Sequence, residues 1–300
     1  MEKQRNKKGS LPIGVRIIGI ILAVLAAAYG LYAGMGNSIG NFDGEMQIFA
    51  LDVGQGDSFF IISPNGKTML IDSGESSNSK QIEQFIREKG VRQLDVVIGS
   101  HTHSDHVGSM PYLLDAFDVG KYVMSEAGLE TRIQKRINAV LEEKDIPCSY
   151  VWAGDVIDWD SDCKVTVLSP VPEFDEYSKT DWNEWSLIIR AEYANHSMIF
   201  TGDATVRSEQ AAMLNDEKYL FDADVLKVPH HGSTTSSSLG FLEAVSPEYA
   251  IISVGKGNSY GHPDYDTIQK LKQVNAEIYR TDELGTINIV FSADDIKITY

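Results

Sequence analysis

The sequence has few cysteines and few basic residues, and each shortage excludes a class of protein. Two cysteines, Cys148 and Cys163, occur in 300 residues, too few for a disulfide-rich scaffold and without zinc-finger spacing. Lysine and arginine total 26 against 43 aspartates and glutamates, which gives a formal net charge of −17. Because such an acidic protein repels polyanions at long range, a nucleic-acid or phosphate substrate needs a local positive feature. A metal centre would be one.

The first 36 residues differ from the rest in charge and hydropathy. Basic residues dominate the start, and an uncharged apolar run follows from Ile17 to Met35. As a helix this run would be about 28 Å long, close to the thickness of a bilayer core. We expect a membrane anchor whose basic flank stays in the cytoplasm, so that the remaining chain is extracytoplasmic. A cleaved signal peptide, giving a secreted protein, is the alternative, because residues 26–28 are alanines that a peptidase accepts.

One α/β domain is predicted for residues 46–300, after a linker at residues 37–45. Apolar and β-branched runs broken by glycine, proline and asparagine predict an initial meander at residues 46–53, 58–63 and 68–72. Further strands alternate with segments of helical periodicity, which fits two packed sheets with helices outside. Cys148 and Cys163 lie near the ends of two predicted strands, where they either close a hairpin-like loop or stay free.

The stretch GSHTHSDHVGSM holds three histidines and an aspartate within six residues, directly after a predicted buried strand at residues 94–100. His101 and His103, two apart on an irregular loop, can converge on one ion, whereas Asp105 and His106 point toward a neighbouring position. Imidazole and carboxylate ligands together suit zinc, manganese or iron. Histidines also occur in helix caps and satisfied cores, but this density at a strand end favours a site for two metal ions.

Two metal ions need further ligands and usually a bridging carboxylate, and three later segments offer them. IFTGDAT places Asp203 after a strand, LKVPHHGSTTSSS places His230 and His231 after another, and GNSYGHP ends in His262. Taken alone, Asp203 is equally consistent with a helix N-cap, and either of the paired histidines with a structural residue. Their joint occurrence after strands favours a single shared site.

These motifs, in this order, resemble those of the metallo-β-lactamase superfamily of dinuclear metallohydrolases. HTHSDHVG, FTGD and VPHHGS are typical of the superfamily. ALDVGQGDS, NEWSLIIRAEY, LKVPHHGS and YGHP are similar to the ComEC-like subgroup, the metallohydrolase domains of DNA-uptake competence proteins. The resemblance covers residues 46–300 and implies a metallo-β-lactamase-like αββα sandwich with the metals at one edge of the sheets.

The resemblance also implies two divalent ions, zinc or manganese, and their ligands. These ligands are His101 and His103 for the first ion, Asp105, His106 and His230 for the second, and Asp203 as the bridge. Asp72, in LIDSG, would hydrogen-bond the ligand loop. Many superfamily members have another histidine ligand before the GD element, where this chain has Asn183 and Ser186. His196 lies nearby in an apparent turn and is expected to be exposed, so the first position is expected to be open.

The activity that the resemblance implies is that of a phosphodiesterase or nuclease in which a hydroxide bridging the metals attacks phosphorus. The predicted catalytic residues are Asp105, His231 and His262, and either histidine would donate a proton or hold a phosphate oxygen. The predicted substrate-binding residues are Ser233, Thr234 and Asn183, although GSTTSSS is equally typical of a polar loop that caps a helix.

The expected substrate is DNA or another nucleic acid. A cell-wall phosphodiester, cleaved by an enzyme of the phosphorylcholine esterase type, is the alternative substrate, because those esterases also carry HTHSDH. A non-catalytic, metal-containing binding module is the alternative to an enzyme. The expected partners are the substrate and the membrane, and the sequence indicates no obligate protein partner.

Overall fold

The early meander and the end of the chain build one sheet of eight strands. The computed structural model describes residues 44–172, 177–215 and 220–300, all of which belong to one compact unit. From one edge to the other, the strands of the sheet are β16 (Ile296–Thr299), β15 (Ile287–Phe291), β1 (Met46–Ala50), β2 (Phe59–Ile62), β3 (Thr68–Ile71), β5 (Val96–Gly99), β7 (Tyr122–Met124) and β8 (Cys148–Tyr150). The strands from β3 to β8 pair in parallel, and the others pair antiparallel.

The middle of the chain builds a second sheet of six strands. Its order is β14 (Glu277–Arg280), β13 (Tyr249–Ile252), β12 (Val225–Lys227), β11 (His196–Phe200), β10 (Ile188–Tyr193) and β9 (Cys163–Ser169). The strands from β11 to β14 are parallel, whereas β9, β10 and β11 pair antiparallel. A separate short pair is formed by β4 (Gln93–Leu94) and β6 (Asp118–Val119).

Helices lie between these strands in the sequence. They are α1 (Ser79–Glu88), α2 (Ser104–Val107), α3 (Met110–Ala116), α4 (Arg132–Glu143), α5 (Val206–Asn215), α6 (Leu239–Val245), α7 (Tyr265–Gln273) and α8 (Thr281–Leu284). The longer ones are amphipathic: α1, for example, buries Ile82 and Ile86 and leaves its charged face in water. Among the described residues, none of these helices is long and apolar enough to cross a membrane. The apolar run predicted as an anchor lies outside the described residues.

Apolar layers hold the two sheets and the helices together. Ile61 and Ile98 of the first sheet share one buried cluster with Val167 and Ile189 of the second. A further cluster joins the second sheet to α5, α6 and α7. On the other side, the Phe85 ring of α1 lies 5.3 Å, centroid to centroid, from that of Phe49 on β1. The four layers are therefore helix, sheet, sheet and helix, which confirms the predicted α/β sandwich.

The structure decides between the two alternatives for the cysteines and corrects the expectation for His196. Cys148 lies on β8 of the first sheet and Cys163 on β9 of the second, and both are free thiols. They do not close a hairpin, because their strands belong to different sheets. His196 begins β11 instead of lying exposed in a turn. Its side chain is 14% exposed, and its ring packs 5.6 Å from that of Phe291.

Candidate metal centre

The site lies where strands of both sheets end. The histidine-rich segment leaves the carboxyl end of β5, turns through residues 100–103 and enters α2. Asp72 follows β3, Asp203 follows β11, and His230 and His231 follow β12. The carboxyl ends of strands in α/β sheets are where side chains and ligands meet. The topology therefore brings together residues that are more than a hundred positions apart in the sequence.

A first group of metal-capable side chains comprises His101, His103 and Asp203, whose ligand atoms all lie within 4.8 Å of one another. His101 Nε2 is 3.0 Å from His103 Nδ1 and 4.0 Å from Asp203 Oδ2. Burial, reinforced by the neighbouring His106, holds the pKa of His101 well below its ordinary value. His101 is therefore neutral at physiological pH, the form in which imidazole binds a metal.

A second group comprises Asp105, His106, Asp203 and His231. Asp203 Oδ1 lies 3.0 Å from His106 Nε2 and 3.5 Å from His231 Nε2. All three of these atoms are buried and have no hydrogen-bond partner. Leaving such groups unpaired costs about 1–3 kcal/mol each, and a divalent cation between them would satisfy all three. The residues present thus fit a metal ion, and Asp203 belongs to both groups, as a bridging ligand would.

The second group contains His231, not the predicted His230. His231 Nδ1 lies 2.9 Å from the carbonyl oxygen of Ser253, to which it donates, so Nε2 is free to face Asp105 and Asp203. His230 Nδ1 instead contacts Thr235 Oγ1 at 2.9 Å, and its Nε2 is 3.6 Å from Asp203 Oδ2. Both histidines adopt positive φ, 50° and 54°, a rare backbone conformation; His231 is 1% exposed, whereas the His230 side chain is 22% exposed at the cavity.

Asp72 orients His106 as expected. His106 Nδ1 lies 2.8 Å from Asp72 Oδ2, and Asp72 also accepts hydrogen bonds from the Ser100 amide, at 2.8 Å, and hydroxyl, at 2.7 Å. A carboxylate on the outer nitrogen of a histidine fixes its tautomer and directs the other nitrogen to the metal. Residues 99–106 are therefore held in place from behind.

A buried lysine and a further aspartate complete this support, and the sequence reasoning missed both. Lys227 is 1% exposed, and its Nζ lies 2.5 Å from Asp57 Oδ2 and 2.7 Å from the carbonyl oxygen of Gly202. Burial raises the pKa of Asp57, but Lys227 and His106 outweigh it and lower the pKa below its ordinary value. Asp57 is held as an anion that faces His106 and His231. The signal for Lys227 was present, since a lysine stands inside the apolar strand VLKV.

The DVGQGDS motif owes part of its pattern to this packing. A Cβ at Gly56 would lie 2.2 Å from the carbonyl oxygen of Asp105, and Gly56 has φ 134°. The next residue, Asp57, donates its amide to the same oxygen at 3.2 Å. Only glycine allows this approach, so the motif places Asp57 directly behind the histidine-rich loop.

The electrostatics of the second group favour a cation. Burial lowers the pKa of His231, but Asp203, Asp105 and Asp57 outweigh it and raise the pKa to about 9. The pKa of His106 is likewise raised well above its ordinary value, because Asp203 and Asp72 outweigh burial. Without a metal, protons balance the clustered carboxylates, and a divalent ion would displace them.

Both groups open into a cavity of about 340 Å³. The residues that line it are Gln55, His103, Ser104, Asp105, Asn183, Asp203, His230, His231, Tyr260 and His262. Asn183 stands in a 3-10 turn at Trp182–Trp185, and its Oδ1 is buried without a partner. Of the predicted catalytic and substrate-binding residues, the cavity thus receives Asp105, His231, His262 and Asn183.

Ser233 and Thr234 do not line this cavity, contrary to the predicted phosphate contact. Ser233 is 5% exposed, and its hydroxyl forms a hydrogen bond with Thr235 Oγ1 at 3.0 Å. The Thr234 amide donates to Asp264 Oδ2 at 3.0 Å. Further along the same loop, the Ser238 hydroxyl accepts the Phe241 amide and caps α6. The loop therefore has the structural role that was the alternative.

Known proteins share these features. Residues 51–256 match the family model of the metallo-beta-lactamase superfamily. The chain is 33% identical over 260 residues to ComE operon protein 3 of Bacillus subtilis, an alignment that covers 81% of this chain and 33% of that protein. It is 28% identical over 256 residues to competence protein ComA of Neisseria gonorrhoeae, with 85% and 34% covered. The chain thus spans about a third of the length of these relatives.

Solved structures agree at the level of the fold. Igni18, a novel metallo hydrolase from the archaeon Ignicoccus hospitalis, superposes with a TM-score of 0.57 at 15% identity over 82% of this chain and 100% of its own. The CmlA beta-hydroxylase E377D mutant superposes with a TM-score of 0.54 at 11% identity over 81% of this chain and 53% of its own. With the family match covering more than half of its residues, the chain belongs to the metallo-beta-lactamase superfamily and is a ComEC-like metallohydrolase.

Proposed function

We propose that this metallohydrolase is a phosphodiesterase that cleaves DNA or another nucleic acid with two divalent ions, zinc or manganese. The observation that carries the proposal is the sharing of Asp203 by two ligand groups that open into one cavity. Two-metal sites of this kind are typical of in-line displacement at phosphorus. When bound, the ions would neutralise phosphate charge and lower the pKa of a water molecule.

The protein residues would position the substrate and handle the proton. Asp105 and Asp203 are anionic, since their histidine neighbours outweigh burial and lower the pKa of each carboxyl. Both line the cavity, where Asp105 would bind the second ion and Asp203 would bind both ions. The side-chain amide of Asn183 would donate a hydrogen bond to a phosphate oxygen. His231 would itself be a ligand of the second ion. The proton donor to the leaving group would therefore be His230 or His262, which also line the cavity.

We propose that the segment at residues 17–35 anchors the chain and that the hydrolase domain is extracytoplasmic. The names of two relatives, competence protein ComA of Neisseria gonorrhoeae and recombination protein 2 of Haemophilus influenzae, support a role in handling DNA. DNA and the membrane are then the partners, and the activity needs no second protein.

The test is hydrolysis of bis(p-nitrophenyl) phosphate and of single-stranded DNA by the metal-supplied chain, with zinc and with manganese. Removal of the metals, Asp203→Ala or His101→Ala should abolish turnover of both substrates while circular dichroism stays unchanged. Asp294→Ala, at an exposed turn remote from the site, is the matched control and should retain full activity. Turnover that survives Asp203→Ala would contradict the two-metal mechanism.

Two other outcomes have specific meanings. Cleavage of a choline phosphodiester without cleavage of DNA would favour a cell-wall substrate. Bound metal without turnover of any phosphodiester would favour a binding module.

A further inference from the structure

A single aromatic ring stands exposed at the rim of the cavity. Tyr260 is 70% exposed, and its ring lies parallel to that of His262, with centroids 5.8 Å apart and an interplanar angle of 11°. The two rings are therefore stacked with an offset, and most of the Tyr260 side chain is open to solvent. The His262 ring in turn lies 6.0 Å from that of His230, whose Nε2 is 3.6 Å from Asp203 Oδ2. A row of rings leads from the rim to the bridging carboxylate.

One side chain holds this rim in place. Asn258 Oδ1 accepts the amides of Tyr260 and His262, both at 3.1 Å, and Asn258 Nδ2 donates to the carbonyl oxygens of Gly255, at 3.0 Å, and His262, at 2.7 Å. The Gly255 amide donates to Gln55 Oε1 at 3.2 Å, which ties the rim to the DVGQGDS loop. A platform that is ordered before the ligand arrives loses little entropy on binding.

The charge of the cavity limits what else can hold a substrate. None of the described residues that line it is a lysine or an arginine, and the chain as a whole carries −17. The cavity lining therefore supplies none of the cationic side chains by which proteins usually track a nucleic-acid backbone. Within the cavity, beyond the metal centre, affinity for a nucleic acid would then come from contacts with its uncharged parts.

We propose that Tyr260, stacked on His262, is a stacking platform for an unpaired nucleobase of the substrate near the scissile phosphate. The proposal rests on the phosphodiesterase function and narrows its substrate to single-stranded nucleic acid, because a base inside a duplex has no free face. Aromatic side chains stack on any base, so the platform reads single-strandedness and not sequence. A choline group fits less well, because quaternary ammonium ions are bound in cages of several rings, and Tyr260 offers one exposed ring.

The test uses a short single-stranded oligodeoxyadenylate and a set of counterparts that each lack one base at a different position. Tyr260→Ala in the metal-supplied full chain should raise KM by about 5- to 150-fold, the range for loss of one base–aromatic stack, while kcat stays nearly unchanged. Tyr260→Phe should restore the wild-type KM, because it keeps the ring. Tyr265→Ala removes another tyrosine, 75% exposed and outside the cavity lining, and should change nothing.

The base-removal comparison makes the result specific. In the wild type, loss of the stacked base should raise KM by the same factor as Tyr260→Ala, and in Tyr260→Ala that loss should cost nothing more, as for two partners of one contact. Equal penalties in both proteins, or an unchanged KM in Tyr260→Ala, would overturn the proposal while leaving the phosphodiesterase intact. So would a larger effect of Tyr260→Ala on glycerophosphocholine than on the oligonucleotide.

Failure of the proposed function would look different, because the wild type would then cleave no phosphodiester. In that case the platform is tested by equilibrium binding of the same oligonucleotides, with and without the base, to the metal-supplied wild type and Tyr260→Ala. Binding that weakens on base removal in the wild type but not in Tyr260→Ala supports the platform, and equal binding by both rejects it.

Discussion

The two metal-capable groups that contain Asp203 differ in ligand number and in support. The second group has four ligands, and aspartates lie behind both of its histidines: Asp72 behind His106, and Asp57 behind both His106 and His231. The first group has three, and Asn183 lines the cavity in the region where many superfamily members have a histidine.

Ligand number and outer carboxylates both raise metal affinity. The second position should therefore bind more tightly and fill first, and the first should exchange ions and accept the substrate. The difference also separates the roles of the paired histidines, because His231 belongs to the second position and His230 does not.

Replacing His231 and His230 by alanine, one at a time, should give the largest expected difference in metal affinity. His231→Ala removes one of four ligands of the second position, and since structural zinc sites bind with about 10–16 kcal/mol in total, one ligand is worth on the order of 10²–10³-fold in affinity. His230→Ala should leave metal affinity nearly unchanged and lower kcat instead. Metal titrations and steady-state kinetics on both variants measure this. Equal metal loss in the two variants would mean that both histidines bind the ion.

Loss of the Asp72 carboxylate behind His106 should lower the metal affinity of the second position by less than His231→Ala does. Asp72→Asn keeps the shape of the side chain but removes its charge, and outer-shell changes of this kind cost about 10- to 100-fold in metal affinity. The affinity of the first position should fall much less. Competition with a chelating dye resolves the two steps, and Asp95→Asn, in an ion pair with Lys67 at the amino end of β5 and so at the opposite end of that strand from the histidine-rich loop, is the matched control. An equal fall at both positions would argue against separate support.

Sequence reasoning predicted the parts of the site that depend on local order. HTHSDH placed four metal-capable residues on one loop after a buried strand, Asp203 was found because it also follows a strand, and Asp72 was identified from the family resemblance. It failed where the answer depends on backbone conformation. His230 and His231 both lie in a turn with positive φ, and neighbouring histidines carry no sequence signal for which of the two rings that turn places inward.

Partners from distant strands were equally invisible to the sequence. Lys227 and Asp57 meet only because β12 belongs to the second sheet and the DVGQGDS loop to the first. The same holds for the cysteines, whose strands look adjacent along the chain and lie in different sheets. Ser233 and Thr234 lie outside the cavity lining, which the sequence could not show, because a polar loop after the histidines is typical both of phosphate binding and of helix capping.

The two positions should also differ, by a smaller amount, in how their metal affinity depends on pH. The pKa of His231 is raised from 6.5 to about 9 in the metal-free fold, so its proton stabilises the metal-free protein below pH 6.5 and is lost as the pH rises through about 9. Binding at the second position must displace this proton and that of His106, whose pKa is also raised, so affinity should rise by up to about a hundredfold per pH unit while both are protonated. His101, whose pKa is lowered, gives the first position a weaker slope. Isotherms at several pH values measure both slopes, and equal slopes would contradict the assignment.

The central claim, two unequal metal positions that share Asp203, is tested most directly by anomalous diffraction from crystals of the metal-supplied protein. The account predicts two peaks, one on each side of the Asp203 carboxylate. The peak beside His106 and His231 should have the higher occupancy and persist at limiting metal. A single peak, two peaks of equal occupancy at limiting metal, or a peak held by His230 in place of His231 would contradict it.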